Sequence, residues 1–142
     1  MKPKPQSRVL VCDEARITQG KVHQLFVNES GLQVLDEVSS TNECITRALE
    51  LKPDIVLINV GSPNQDGAEA VRQLVAAAPG IKVLAYSSDS GWETADRMLG
   101  AGALGYAVEG SDQHELVRAT RTVLSGGHYL GLVLLEPFHR QE

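Results

Sequence analysis

Five times along this chain a short apolar run is followed by a stretch whose apolar residues recur at helical spacing, and that alternation leaves few folds open. The runs Val9 to Cys12, Leu32 to Val38, Asp54 to Val60, Lys82 to Ser87 and Leu104 to Val108 read as strands. Between them Val22, Leu25 and Phe26 share one helical face, as do Ile45, Ala48 and Leu49, and then Val71, Leu74, Val75 and Ala78. Ala95, Met98, Leu99 and Gly102 give a fourth stripe. Leu116, Thr120, Val123 and Leu124 give a fifth, with Asp112 and Glu115 placed to cap its start. The first and third runs are apolar almost throughout, which suits parallel strands covered on both faces. The expected fold is α/β, a doubly wound (βα)5 domain with a five-stranded parallel sheet in the order 2-1-3-4-5.

A length of 142 residues with 42% hydrophobic content suits one domain with a real core. The Lys- and Pro-rich residues 1–7 read as a loose leader, residues 8–127 as the domain, and residues 128–142 as a tail. That tail holds the apolar run Tyr129 to Leu135, which is free to pack back, pair or lead on, and is too short for a second domain. A net charge of −5, with both signs interspersed, argues against a surface that neutralises nucleic-acid phosphates. No apolar run approaches the roughly 18 residues needed to cross a membrane. Cys12 and Cys44 lack paired spacing and no signal-peptide stretch opens the chain, so a cytoplasmic setting is expected.

In a doubly wound sheet, ligands bind beyond the carboxyl ends of the strands where the strand order reverses. Those positions hold Asp13 and Glu14 after the first run, and Asn59 at the end of the third, followed by Pro63, Asp66 and Gly67. Ser87 ends the fourth, and Tyr106 and Glu109 belong to the fifth. Gly100 to Gly105 formally matches a dinucleotide-binding glycine motif, but a helix precedes it and a strand follows, the reverse of the required order. His23, His114, His128 and His139 are scattered without ligand spacing, and no nucleophile, base and orienting acid share neighbouring strand ends. No enzymatic activity is expected.

The segment Pro53 to Gly67, reading PDIVLINVGSPNQDG, and the segment Gly102 to Val108, reading GALGYAV, resemble the receiver domain of two-component response regulators. The likeness runs from Arg8 to Leu130 and is greatest to the branch with a helix-turn-helix output. The resemblance implies a CheY-like, flavodoxin-like fold and a set of site residues. In that family an acidic pair holds Mg²⁺, an aspartate accepts phosphate, a Ser or Thr and a lysine contact the phosphoryl group, and an aromatic side chain reports the change. Asp13 and Glu14 match the acidic pair, Ser87 the hydroxyl and Tyr106 the aromatic, but Asn59 stands at the phosphoacceptor position and Glu109 at the lysine position.

Both departures strike the chemistry. An amide nitrogen's lone pair is delocalised and its oxygen neutral, so Asn59 is a poor nucleophile toward phosphorus. Glu109 would repel the phosphoryl charge that a lysine neutralises. The chain thus reads as a pseudo-receiver.

Each site residue also carries a plainer reading. Asp13 and Glu14, with the Asn59 carbonyl oxygen and Glu109, could hold Mg²⁺ weakly, or they form a solvated acidic loop, and no cofactor is required. Ser87 could bond Asn59 or a ligand, or simply belong to the loop Ser87 to Ser90 before a helix cap. Tyr106 reads more readily as half-buried packing with a wetted hydroxyl than as a reporter. Trp92 suits either a partner anchor or partial core burial.

The expected role is a protein-interaction module working through the face of the fourth helix, fifth strand and fifth helix, toward itself or another protein. Trp92, Arg97, Arg118 and Arg121 are its expected contacts. The alternative is the regulatory half of a DNA-binding regulator, whose helix-turn-helix output is absent from these residues. A weaker third reading is a sensor of a cation or cationic metabolite at Asp13, Glu14 and Glu109.

Overall fold

In a computed structural model of the chain, residues 6–13, 20–61, 66–109, 112 and 114–131 are described. The elements alternate strictly: β1 (Ser7–Cys12), α1 (Lys21–Phe26), β2 (Leu32–Val38), α2 (Thr41–Leu51), β3 (Ile55–Asn59), α3 (Gly67–Ala77), β4 (Lys82–Ser87), α4 (Trp92–Ala101), β5 (Gly105–Val108), α5 (Glu115–Leu124) and β6 (Tyr129–Leu130). All five strand runs expected from the sequence form strands, with ends displaced by a residue or two. The strands are joined in the order β2-β1-β3-β4-β5-β6, and each neighbouring pair is parallel.

The sheet therefore has six strands where the alternation predicts five. The sixth comes from the tail, whose Tyr129 and Leu130 lie beside Gly105 and Tyr106. Two residues are too few for a period-2 pattern to show in the sequence. The pairing depends on Gly105: a Cβ there would sit 3.0 Å from the Tyr129 carbonyl oxygen, so a side chain would push the new strand away.

Burial on both faces explains the apolar runs. Leu10, Cys12, Val56, Ile58, Val83 and Ala85 face one layer, where Cys44 and Ala48 of α2, Val71 and Leu74 of α3, and Ala95 and Met98 of α4 pack against them. Val9, Val11, Ile55, Leu57, Leu84 and Tyr86 face the other, against Val22 and Phe26 of α1 and Leu116, Ala119 and Val123 of α5. Each fully buried aliphatic side chain contributes about 1.5–3 kcal/mol relative to exposure, so these two layers hold the strand ends in register. Cys12 and Cys44 are both buried and not joined in a disulfide, and the Cys12 thiol donates to the Ser40 carbonyl at 3.6 Å.

Helix starts follow side-chain chemistry in part. Ser40 accepts from the Glu43 N–H at 3.1 Å to open α2, and Asp66 accepts from the Glu69 N–H at 3.1 Å to open α3. Gly67, the last residue of the PDIVLINVGSPNQDG segment, lies so close to β3 that a Cβ would come within 2.6 Å of the Val60 side chain. The expected capping of α5 by Asp112 and Glu115 takes another form: His114 is the N-cap residue without a side-chain bond, while Asp112 accepts from the His114 N–H at 2.9 Å, one step outside the helix. Among the described residues no helix is long and apolar enough to cross a membrane.

Candidate functional site

The strand order reverses between β1 and β3, so Asp13 and Asn59 meet at the mouth of that crevice. Asp13 continues β1, its N–H bonding the Val38 carbonyl at 2.9 Å, and it is only 2% exposed. A carboxylate so deeply placed needs donors. Among them the Asn59 amide donates to Oδ1 at 3.2 Å, and the Tyr86 hydroxyl donates to Oδ2 at 2.9 Å. Asn59 in turn accepts the Gly61 N–H at 2.8 Å through its carbonyl oxygen.

The bonds continue along the carboxyl edge. Ser87 Oγ donates to the Gly61 carbonyl at 2.9 Å and accepts the Asp89 N–H at 3.0 Å. The Asp89 carboxylate accepts from the Gly91 N–H at 2.7 Å and from the Thr94 hydroxyl at 2.6 Å, tying the turn to the first residues of α4. These two bonds hold the Asp89 carboxyl below its ordinary range, the Thr94 hydroxyl contributing most. The Tyr106 hydroxyl donates to the Asp89 carbonyl, and the Tyr106 carbonyl accepts the Gly131 N–H at 2.8 Å. A continuous path of hydrogen bonds thus runs from Tyr86 through Asp13, Asn59, Gly61, Ser87 and Asp89 to Tyr106 and the start of the tail. No buried side-chain nitrogen or oxygen among the described residues lacks a partner.

Ser87 bonds Gly61 and Asp89, which suits its reading as part of the loop before α4. Other expectations change against this geometry. Tyr106 is not half-buried with a wetted hydroxyl. It is 0% exposed, because α4 and the β4–α4 turn close over it, and its hydroxyl is held by protein. The Asn59 carbonyl, counted as a possible cation ligand, is committed to the Gly61 N–H, so the amide turns its N–H₂ toward Asp13. Glu14 lies outside the described residues.

Glu109 stands half-buried where β5 ends, its N–H bonded to the Ser87 carbonyl at 2.7 Å. Burial, and then the negative charge of Asp13, raise its carboxyl above the ordinary range, with Lys21 opposing. Tyr86 is pushed far upward, first by burial and then by Asp13, so its hydroxyl keeps its proton and remains a donor. Both residues line a groove of ≈ 700 Å³ between α1 and α5, together with Lys21, Gln24 and Asp112.

Tyr86 went unnoticed in the sequence as a site residue. The available signal was a tyrosine inside a strand buried on both faces, since a buried phenol needs a partner for its hydroxyl.

The Mg²⁺ implied by the resemblance does not fit the described residues. Both Asp13 oxygens accept protein hydrogen bonds, the neighbouring Asn59 presents a donor, and no three His, Cys, Asp or Glu side chains among the described residues form a metal-holding cluster.

Of the expected contact residues, Trp92 is 55% exposed and Arg97 is also exposed on α4. Arg118 and Arg121 are engaged within the molecule, Arg118 with Asp112 at 2.6 Å and Arg121 with Glu29 at 2.9 Å.

Residues 9–121 match the response regulator receiver domain family. The response regulator GacA of Pseudomonas viridiflava is 37% identical over 123 residues, which is 87% of this chain and 58% of GacA. GacA of Pseudomonas aeruginosa is 34% identical over the same shares. The chain therefore spans less than two thirds of the length of these relatives. Among solved structures, a LuxR-family two-component response regulator from Aurantimonas sp. superposes with a TM-score of 0.85 at 26% identity, covering 96% of this chain and 99% of that one. The isolated receiver domain of RcsB from Salmonella enterica, in its apo form, shares the fold with a TM-score of 0.82 at 11% identity, covering 95% of this chain and 100% of that one. With the fold and the sequence match in agreement, the chain belongs to the response regulator receiver domain family, the signal-receiving module of two-component systems.

Proposed function

We propose that this receiver domain signals without aspartyl phosphorylation and acts through protein contacts, as a pseudo-receiver. The observation that carries the reading is the state of Asn59. Its carbonyl oxygen is used by Gly61, its amide by Asp13, and the nearby strand end offers Glu109 where a cation would be needed for a phosphoryl group. At these two strand ends an amide stands in place of a carboxylate nucleophile, and a carboxylate in place of a phosphate-binding cation. The domain needs no cofactor for this role and catalyses no reaction of its own, and its setting is cytoplasmic.

The contact face is that of α4, β5 and α5, toward a second copy or a regulatory protein. Trp92 and Arg97 are its exposed anchors. Arg118 and Arg121, already paired, contribute charge at its margin.

The deciding experiment adds beryllofluoride and Mg²⁺ and follows Tyr and Trp fluorescence together with mass by light scattering. No change in either signal is the expected result. A saturable, Mg²⁺-dependent response would overturn the reading.

A second reading has one observation in its favour. GacA is a response regulator in which a further part of the protein lies beyond the matched region, so this chain also suits the regulatory domain of a DNA-binding transcriptional regulator. Sequencing the gene through the region after residue 142 separates the two: helix-turn-helix signals there would favour the second.

A further inference from the structure

We propose that Tyr86 is a built-in substitute for a divalent cation at Asp13, so that the crevice is kept in one state by a hydroxyl the chain itself supplies. This inference rests on the pseudo-receiver reading and adds a residue and a cause to it. A carboxylate that is 2% exposed requires positive charge or strong donors around its oxygens. Here the Tyr86 hydroxyl meets Oδ2 at 2.9 Å and the Asn59 amide meets Oδ1 at 3.2 Å.

Both donors come from rigid strands. Tyr86 sits in β4, with its ring 0% exposed between α1 and α5, and Asn59 ends β3. Their positions are set by the sheet register, which pairs Asn59 with Tyr86 directly across β3 and β4. A cation approaching Asp13 would have to displace the phenol from a packed layer and reverse the Asn59 amide, which would break its bond to Gly61. With both Asp13 oxygens already accepting from protein donors, an ion that must keep near-ideal coordination and most of its water gains too little from that carboxylate to do that. Asn59 and Tyr86 therefore act as a matched pair of donors: the amide removes the nucleophile, and the phenol removes the need for the ion.

The test uses Mn²⁺ as the probe, with binding read by electron paramagnetic resonance of the free ion, on the full chain and on Tyr86→Phe. The phenylalanine keeps the ring and its packing, so far-UV circular dichroism should match between the two. The expected result is no measurable Mn²⁺ uptake at millimolar ion by the unaltered chain and saturable uptake by Tyr86→Phe, at least tenfold tighter. Tyr86→Phe combined with Asn59→Asp, which supplies a second carboxylate oxygen, should bind more tightly still. Equal Mn²⁺ uptake by the unaltered chain and Tyr86→Phe would overturn the role of Tyr86, as would no uptake by a folded double variant. Neither result would touch the beryllofluoride outcome, so the two readings fail separately.

Discussion

The carboxyl edge of the sheet carries two polar clusters built on opposite plans. In the crevice between β1 and β3, the bonds to Asp13 arrive from Asn59 and Tyr86, 46 and 73 residues away along the chain. In the turn between β4 and α4, Asp89 binds Gly91 and Thr94, two and five residues on. The crevice exists only because three strands are in register, whereas the turn would hold much of its shape as a local motif. On the proposed pseudo-receiver reading, Asn59 and Glu109 at the crevice depart from the family's pattern, while Ser87 and Tyr106 beside the turn match its hydroxyl and aromatic.

The largest test of that contrast is Asp13→Ala, which leaves the Tyr86 hydroxyl and the Asn59 amide buried without an acceptor. It should cost about 3 kcal/mol in urea unfolding, the sum of two stranded polar groups. A loss under about 1 kcal/mol would mean that the crevice bonds carry little stability. Tyr86→Phe removes one donor to the same carboxylate and should cost about 2 kcal/mol by the same measurement.

Asp89→Ala tests the local cluster. It removes the acceptor for the Gly91 N–H and the Thr94 hydroxyl beside the start of α4 and should cost about 1 kcal/mol, the loss of exposed and part-buried hydrogen bonds. Hydrogen exchange should quicken in the first turn of α4 and leave β1 and β3 unaffected. Faster exchange at Asp13 and Asn59 would show that the two clusters are coupled more strongly than their separate plans imply.

Glu109→Gln gives the smallest effect and the opposite sign. Burial and Asp13 raise the Glu109 carboxyl in the folded chain, so across the interval from the ordinary carboxylate range to that raised value the folded state holds a proton the unfolded state has lost. Stability therefore falls as pH rises through this window, and above it the full penalty applies. Glu109→Gln should match the unaltered chain in acid and exceed it near neutral pH by less than about 1 kcal/mol, since a half-exposed carboxylate is screened. Thermal unfolding across pH checks it, and a constant difference at all pH values would locate the effect elsewhere.

The same contrast explains what the sequence disclosed. Alternating patterns fixed the strand runs of β1 to β5 because burial on two faces writes itself into every residue, as in Ile55 to Ile58. Asn59 and Glu109 were readable because the residues around them resemble a known pattern. Tyr86 was hidden, since its partner lies 73 residues away and nothing local marks the meeting. Tyr106 looked like an amphipathic surface residue because tyrosine often is one, and only the fold of the β4–α4 turn over it shows why it is buried. The expected role of Arg118 and Arg121 in contacts likewise overlooked Asp112 and Glu29, whose nearness depends on how α5 sits against its neighbours.

The sixth strand bears on association of another kind. Without it, β5 would present a row of unpaired backbone groups to any extended segment from another molecule, the usual starting point for sheet-to-sheet aggregation. Tyr129 and Leu130 cover the half of that margin at Gly105 and Tyr106, leaving Ala107 and Val108 beyond their pairing. A margin broken in this way gives an incoming strand little to grip, and widening Gly105 to valine would reopen all four residues of β5 and favour clumping during folding.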